Sequence, residues 1–335
     1  MKHATRSVAR SGKTKPRQTS SAPFDVLVLA TMSAGKTSFI NALIGQELLH
    51  TANEATTACI TRVEHRQGAR AFDGACYSHD DQEIARLKDT SAAMLRDWNA
   101  NSEVKRICLK GNFKIVPSPA SGLVLHDTPG PNNSQDHRHA ELMLEAVRTV
   151  SFKALCYVLN ASQLGTQDDR ALLEQIRDEL ATRPDHTIYF ILNKVDLLDP
   201  EMGETIDAYV SKAHRYLTAT GFEQPIIIPT MANVALYARK ALKAQAMTRS
   251  QRLRLHQALA DLQENKRSLL HAMVVPDTIK KGVFKALNSL ERQRQLKALN
   301  AQACEKNDLQ QLVAISGLKT VEALIKHQRQ SIKNP

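Results

Sequence analysis

The chain has 335 residues, of which 42% are apolar and 24% charged, and its formal net charge is +11. This composition is typical of a soluble globular protein with one large domain or two ordinary ones, and no run of about eighteen apolar residues or secretory-signal core is present. The missing apolar run predicts that no transmembrane segment is present. Because the five cysteines are odd in number, widely spaced and form no C-x-x-C pair, we expect a cytoplasmic protein without a disulfide framework or a zinc site.

The first 22 residues hold six basic residues and no acid, are rich in Ser and Thr, and are predicted to form a disordered basic arm. The pattern changes at Phe24–Ala30, a short apolar run that predicts a strand buried on both faces. A glycine-containing turn follows, and the apolar spacing over residues 38–44 predicts a helix.

The turn between this strand and helix matches the phosphate-loop pattern G-x-x-x-x-G-K-[ST] over residues 30–37, except that Ala30 replaces the first glycine. In such a loop, backbone N–H groups and the helix N-terminus surround phosphates, the lysine reaches the β- and γ-phosphates, and the hydroxyl binds Mg²⁺. A positive φ at Ala30 would strain this loop. The predicted phosphate-binding residues are Ser33, Ala34, Gly35, Lys36, Thr37 and Ser38, with Thr37 also a Mg²⁺ ligand.

Nearly sixty residues separate the next two predicted strands, Cys59–Glu64 and Leu123–His126. They include a polar stretch with a helical pattern at about 81–99 and an extended segment, Val104–Val116. This length exceeds that of a simple hairpin, so an insertion at about 66–121 is expected in the α/β core.

The second motif is Asp127-Thr128-Pro129-Gly130, at the end of an apolar strand. An aspartate in this position can hold Mg²⁺ through a water molecule, and the Gly130 N–H can contact a γ-phosphate. Because D-x-x-G also makes ordinary turns, its weight comes from its place after a phosphate loop.

The third motif is Asn193-Lys194-Val195-Asp196, which follows the predicted strand Thr187–Leu192. The Asp196 carboxylate can accept two hydrogen bonds from the N1–H and N2–H₂ groups of guanine. Asn193 can brace the loop and reach the base, while the Lys194 stem covers the ring face. Adenine presents the opposite donor pattern, so the motif favours guanine.

Apolar runs alternate with helical patterns along the rest of the first 245 residues. This alternation predicts an α/β fold with a mainly parallel, doubly wound sheet. Strand signals vanish beyond about residue 246, where leucine-rich helical periodicity begins. The expected domains are the arm (1–22), the α/β domain (23–245) and a basic helical region (246–335). The additional predicted strands are Ala154–Leu159 and Pro225–Ile228, and the helices lie at about 138–150, 164–182, 203–219 and 232–245.

These motifs resemble the G domain of the dynamin-like GTPase family, in particular the bacterial dynamin-like proteins, among them a member associated with the replication clamp. The resemblance covers about residues 24–245. It implies GTP or GDP binding with Mg²⁺, GTP hydrolysis, and a GTP-dependent homodimer paired across the nucleotide faces. The segments that carry it are TMSAGKTSFINALIGQELL (31–49), ATTACITRVEH (55–65), LHDTPGPN (125–132) and FILNKVD (190–196).

The resemblance also assigns catalytic roles. Thr57 corresponds to the switch I threonine, which binds Mg²⁺ and orients the attacking water, and Thr56 is the competing assignment. Met32 stands where dynamins have a water-orienting glutamine, which implies a low intrinsic rate. Hydrolysis then depends on backbone groups, on Ser33 at the β-phosphate, on Lys36, or on a second protomer.

The basic C-terminal region, with a net charge of +9, leaves two pairs of alternatives open. The apolar face of residues 277–290 either lies on an anionic membrane or packs in a helical bundle. Residues 308–328 either resemble a helix-hairpin-helix DNA-binding element or form a hairpin that closes the bundle.

The predicted partners are DNA or a replication-associated protein, with an anionic membrane as the alternative. A membrane-remodelling dynamin and a non-hydrolysing GTP-gated binding module are the alternative functions.

Overall fold

A computed structural model of the chain describes residues 23–30, 33–49, 59–113, 122–128, 137–183, 186–264, 267–297 and 300–333. The predicted arm, residues 1–22, lies outside them. The strands are β1 (Phe24–Ala30), β2 (Ile60–His65), β3 (Asp73–Ser78), β4 (Glu83–Leu87), β5 (Val104–Gly111), β6 (Leu123–Asp127), β7 (Ala154–Asn160), β8 (Thr187–Asn193) and β9 (Ile226–Thr230). The helices are α1 (Lys36–Ile44), α2 (Ala92–Ala100), α3 (His137–Thr149), α4 (Gln167–Ala181), α5 (Ile206–Ala219), α6 (Ala232–Leu242), α7 (Arg249–Glu264), α8 (Ser268–Ala272), α9 (Asp277–Leu296), α10 (Ala301–Ile315) and α11 (Leu318–Lys333).

The strands form one sheet in the order β4-β3-β5-β2-β6-β1-β7-β8-β9. Five neighbouring strands, β6, β1, β7, β8 and β9, run parallel to one another. Helices cover the apolar side chains of these strands on both faces of the sheet. Asn160 pairs in register with Asn193, and Asn193 with Thr230. The predicted α/β fold with a C-terminal helical region is confirmed, and the carboxyl ends of the parallel strands bring polar residues to one edge.

The segment between β2 and β6 extends this sheet on its other side. β2 runs parallel to β5 and antiparallel to β6, and β3 runs antiparallel to both β4 and β5. The prediction of a helix over 81–99 is wrong in its first half, since Glu83–Leu87 is a strand at the sheet edge. An edge strand facing solvent lacks the alternating apolar signal that identifies a strand from sequence. The helix begins only at Ala92, where the Ser91 side chain accepts a hydrogen bond from the Met94 N–H.

The C-terminal helices pack directly on the α/β layers. Ile279, Val283 and Leu287, on the apolar face of α9, are buried in the core, so this face cannot lie on a membrane. The bundle alternative for this helix is therefore confirmed. None of the helices in the described part of the chain is long and apolar enough to cross a membrane.

The turn between α10 and α11 is also buried. Ser316 is fully buried and its carbonyl oxygen accepts a hydrogen bond of 3.0 Å from the Met231 N–H. Gly317 has a φ of +81° and lies against the Pro229 carbonyl at the end of β9. A helix-hairpin-helix element contacts DNA phosphate through the N–H groups of its exposed turn. The DNA-hairpin alternative is therefore wrong, and the hairpin closes the helical region.

A charged network joins α11 to the first helix of the sheet domain. The Arg239 guanidinium on α6 donates to the Ala42 carbonyl of α1 and to Glu322 of α11. Lys319 donates to the same carboxylate at 2.8 Å. Although burial acts to raise the pKa of Glu322, the charges of Arg239 and Lys319 hold it below its ordinary value.

Candidate nucleotide-binding site

The loop between β1 and α1 has the backbone of an anion-binding turn. Ser33 and Gly35 have left-handed φ values of +56° and +84°, and α1 begins at Lys36 without a side-chain cap. The N-terminal N–H groups of α1 therefore have no side-chain acceptor from the capping residue, as a phosphate site requires. Ala30 is the last residue of β1 and is not among the positive-φ residues, so its Cβ does not strain the loop.

Gly35 is required both by its φ and by its surroundings. A Cβ at this position would lie 2.6 Å from Asn193 Nδ2, inside van der Waals contact. The Lys194 Cε atom lies 3.8 Å from the same position. Asn193 and Lys194 therefore pack against the loop between β1 and α1.

Lys36 and Asp127 meet at the centre of the site. The Lys36 ammonium, 8% exposed, donates to the Asp127 carboxylate and to the Thr128 carbonyl oxygen. The Thr128 hydroxyl donates to the Val28 carbonyl at 3.0 Å, which ties the end of β6 to β1. Thr37, in the first turn of α1, is half-buried. A hydroxyl and a carboxylate next to a phosphate loop are hard oxygen donors of the kind that Mg²⁺ prefers, so these residues fit the ion.

Asn193, at the end of β8, links the two sides of the site. Its Nδ2 donates to the Ala34 carbonyl at 2.9 Å, while its Oδ1 accepts from Thr230 Oγ1 and from the Ala232 N–H, each at 3.1 Å. The side chain is 2% exposed. Asn193 therefore connects the loop between β1 and α1 to the end of β9 and the start of α6.

Asp196 lies in a short 3₁₀ turn, Val195–Leu197. The preceding residue, Lys194, has a left-handed φ of +67°. Burial raises the pKa of the Asp196 carboxyl, and the effect is opposed by its own backbone N–H and by the charges of Arg254 and Lys194. Arg254 belongs to α7, so the C-terminal region contributes positive charge near the Asp196 carboxyl.

One positioning residue was missed from the sequence. Asn160, at the end of β7, is 4% exposed, and its Nδ2 donates to the Ser33 carbonyl at 3.4 Å and to Gln163 Oε1 at 3.2 Å. Its Oδ1 accepts from the Ser162 N–H at 3.2 Å. A polar residue that ends a fully buried strand beside β1 is the signal that could have found it.

Several predicted residues lie outside the described part of the chain. They are Thr57 with its competitor Thr56, Met32 and Gly130. Their roles, and the catalytic role of Ser33, stay predictions.

We expect Asn160→Ala to weaken GTP binding several-fold while leaving the protein folded. The substitution removes the hydrogen bond to Ser33, a contribution of about 1 kcal/mol that helps hold the loop in its left-handed conformation. Calorimetric titration with GTP measures the change. Gln163→Ala is the control, because it removes Asn160's other acceptor and leaves the Ser33 contact. Equal affinities for the two variants would contradict a positioning role.

The model of the Dynamin family matches residues 26–195, about half of the chain. The chain is similar to a bacterial dynamin-like protein of Nostoc punctiforme (strain ATCC 29133 / PCC 73102), with 26% identity over 209 residues, or 58% of this chain and 29% of that protein. It is also similar to dynamin-like protein A of Bacillus subtilis (strain 168), with 25% identity over 177 residues, or 50% of this chain and 13% of that protein. The chain therefore spans less than a third of the length of either relative.

A solved structure of an oligomerised bacterial dynamin pair, described as sensing and tethering membranes over long range, superposes with a TM-score of 0.48. Its sequence identity is 18%, and the match covers 93% of this chain and 48% of that one.

Proposed function

The chain belongs to the dynamin family, and from this premise we propose that it binds GTP with Mg²⁺ at the carboxyl edge of its sheet and hydrolyses the GTP. The observation that carries the proposal is the double contact of Asn193, which joins the phosphate loop at Ala34 to the turn after β9. In the proposed site, this contact joins the phosphate-binding and base-binding segments, which are 159 residues apart in the sequence.

In the proposed site, the Lys36 ammonium neutralises charge on the β- and γ-phosphate oxygens, and the N–H groups of residues 34–38 surround them. The Thr37 hydroxyl and, through water, the Asp127 carboxylate hold Mg²⁺. The ion, when bound, supplies further neutralisation of the phosphate oxygens. The contact of Lys36 with Asp127 supports this assignment, since both side chains are directed at the same space.

The Asp196 carboxylate is proposed to select guanine, and titration calorimetry with GTP, GDP and ATP tests this. We expect Asp196→Asn to weaken GTP binding by about 10- to 100-fold, because an amide cannot accept both hydrogen bonds from guanine. The same variant should bind xanthosine triphosphate better, since its amide N–H₂ can donate to the C2 carbonyl. Asp199→Asn, the same change at an exposed residue three positions along, is the control. ATP bound as tightly as GTP would contradict the guanine assignment.

The hydrolytic step is proposed to depend on a second copy of the chain. Met32 offers neither a donor nor a strong acceptor to orient water, so Thr57, Gly130 and Ser33 must be supplemented by groups from a partner. This would make the active species a GTP-dependent homodimer.

Specific GTPase activity is therefore expected to rise with protein concentration before reaching a plateau. Phosphate release per mole of protein measures it over a wide dilution range at saturating GTP. Rates strictly proportional to protein would contradict assistance by a dimer. No turnover despite tight GTP binding would instead select a GTP-gated binding module.

We further propose a cytoplasmic protein with a role at the chromosome. The +9 charge of residues 246–335 supports a polyanionic partner, while burial of the apolar face of α9 removes one support for membrane remodelling. Association with a replication protein rests only on the resemblance of the G-domain motifs. DNA binding measured beside liposome sedimentation separates these partners.

A further inference from the structure

The exposed side of α9 forms an open groove with a volume of about 740 Å³. Its walls include Lys281, Lys285 and Arg292 from α9 and Arg267 from the segment before α8. The half-buried Phe284 ring also lines it. This groove lies on the face of α9 opposite the buried apolar stripe and takes no part in the nucleotide site.

Two of the basic residues in the groove already have structural partners. Arg267 donates to Glu291 at 2.6 Å and to Asn288 at 2.7 Å. Lys280 donates to the carbonyl oxygens of His271 and Met273, at 2.7 and 3.2 Å, at the end of α8. These cations hold α8 against α9 and neutralise one acid.

Three exposed cations remain, beside one exposed acid that also lines the groove, Asp277 in the first turn of α9. Within the described residues, Lys281, Lys285 and Arg292 have no carboxylate within ion-pair distance. They stand four and seven residues apart, which places them on one stripe of the helix, about 6 and 10.5 Å apart along its axis. A straight row of unpaired cations complements a ligand whose negative charges also lie in a row.

The shape and polarity of this face favour a nucleic acid over a lipid surface. A helix that lies on a membrane directs large apolar side chains into the lipid. Among the described residues of α9, one large apolar side chain is exposed, that of its last residue, Leu296, and a single leucine at the end of the helix is not the row of apolar side chains that insertion into lipid requires. The groove also contains the amides of Asn288 and Gln295, which can donate hydrogen bonds to phosphate or sugar oxygens.

We propose that this stripe of α9 is a binding site for the phosphodiester backbone of a nucleic acid, contacted at Lys281, Lys285 and Arg292. Long flexible cations of this kind contact phosphates without reading bases, so binding is independent of sequence. The inference rests on the proposed chromosomal partner but does not depend on GTP hydrolysis.

Fluorescence anisotropy with a labelled DNA duplex of arbitrary sequence tests the site. We expect the triple variant Lys281→Ala/Lys285→Ala/Arg292→Ala to bind on the order of tenfold more weakly at low salt. Three lost phosphate contacts should also reduce the slope of log K against log salt by about 2.7. A duplex RNA of the same sequence shows which nucleic acid is preferred.

The matched control is Lys105→Ala/Lys212→Ala/Arg215→Ala, which removes the same charge from exposed positions elsewhere. It should keep the wild-type salt slope, and both variants should keep the wild-type GTP affinity. Equal DNA binding by the two variants would overturn the α9 site while leaving DNA as a partner. An unmodified chain that binds phosphatidylserine vesicles but no duplex would overturn both, and neither result would bear on the GTP site.

Discussion

Replacing Lys36 with alanine is expected to lower GTP affinity by at least about a hundredfold, toward that of guanosine. The ammonium is buried between the Asp127 carboxylate and the Thr128 carbonyl, so no mobile surface cation can take its place. Without it, the β- and γ-phosphates would enter a site in which the Asp127 carboxylate has lost the one ion-pair partner it has among the described residues. A buried charge left without its partner typically costs about 3–5 kcal/mol.

Parallel calorimetric titrations with GTP and with guanosine measure this loss. Only the GTP affinity should fall, because the guanosine contacts at Asp196 are unchanged. The free protein should also lose stability through the unpaired Asp127, so a thermal melt must establish that the variant is folded at the titration temperature. Lys212→Ala, at an exposed position on α5, is the control. A folded Lys36→Ala protein that binds GTP within about threefold of wild type would refute the phosphate-loop assignment.

Gly317→Ala is expected to destabilise the fold by about 2–4 kcal/mol. Gly317 has a φ of +81°, and a Cβ there would overlap the Pro229 carbonyl oxygen and lie 2.9 Å from Thr230 Cγ2. The left-handed backbone costs an alanine about 1–2 kcal/mol, and displacement of a packed strand end adds about 1–3 kcal/mol. Reduced freedom of the unfolded chain offsets about 0.4–1 kcal/mol of this.

Urea denaturation measures the effect, with Gly203→Ala as the matched control. Gly203 has nearly the same φ, +78°, but a Cβ at this position would have no atom within 4 Å. Its substitution therefore costs only the free energy of the left-handed backbone. Since Thr230 donates to Asn193, the Gly317 variant should also bind GTP more weakly. Equal destabilisation by the two substitutions would show that the turn does not press on β9.

The sequence by itself determined the α/β class and the positions of the nucleotide motifs. A strand buried on both faces is a continuous apolar run, and a phosphate loop is a local pattern of glycine, lysine and hydroxyl. Both signals lie within a few neighbouring residues. The places of Lys36, Asp127 and Asn193 at one edge then follow from the direction of parallel strands.

Local sequence patterns did not identify elements whose side chains face solvent, or what covers an apolar face. The edge strand β4 has no buried side chain and lacks the apolar alternation of a covered strand, so Glu83–Leu87 resembled the start of a helix. The apolar stripe of α9 was equally compatible with a lipid surface and with a bundle, because periodicity identifies an apolar face but not what covers it.

Only the tertiary structure decided the contacts between remote segments. Ser33 meets Asn160 across 127 residues, and Ala34 meets Asn193 across 159. The Ser316–Gly317 turn resembles a DNA-binding hairpin in sequence, yet it is buried because β9 ends beside it, where the Ser316 carbonyl oxygen accepts a hydrogen bond from the Met231 N–H. Burial depends on which distant segment occupies the neighbouring space, and that information is absent from any short stretch of the chain.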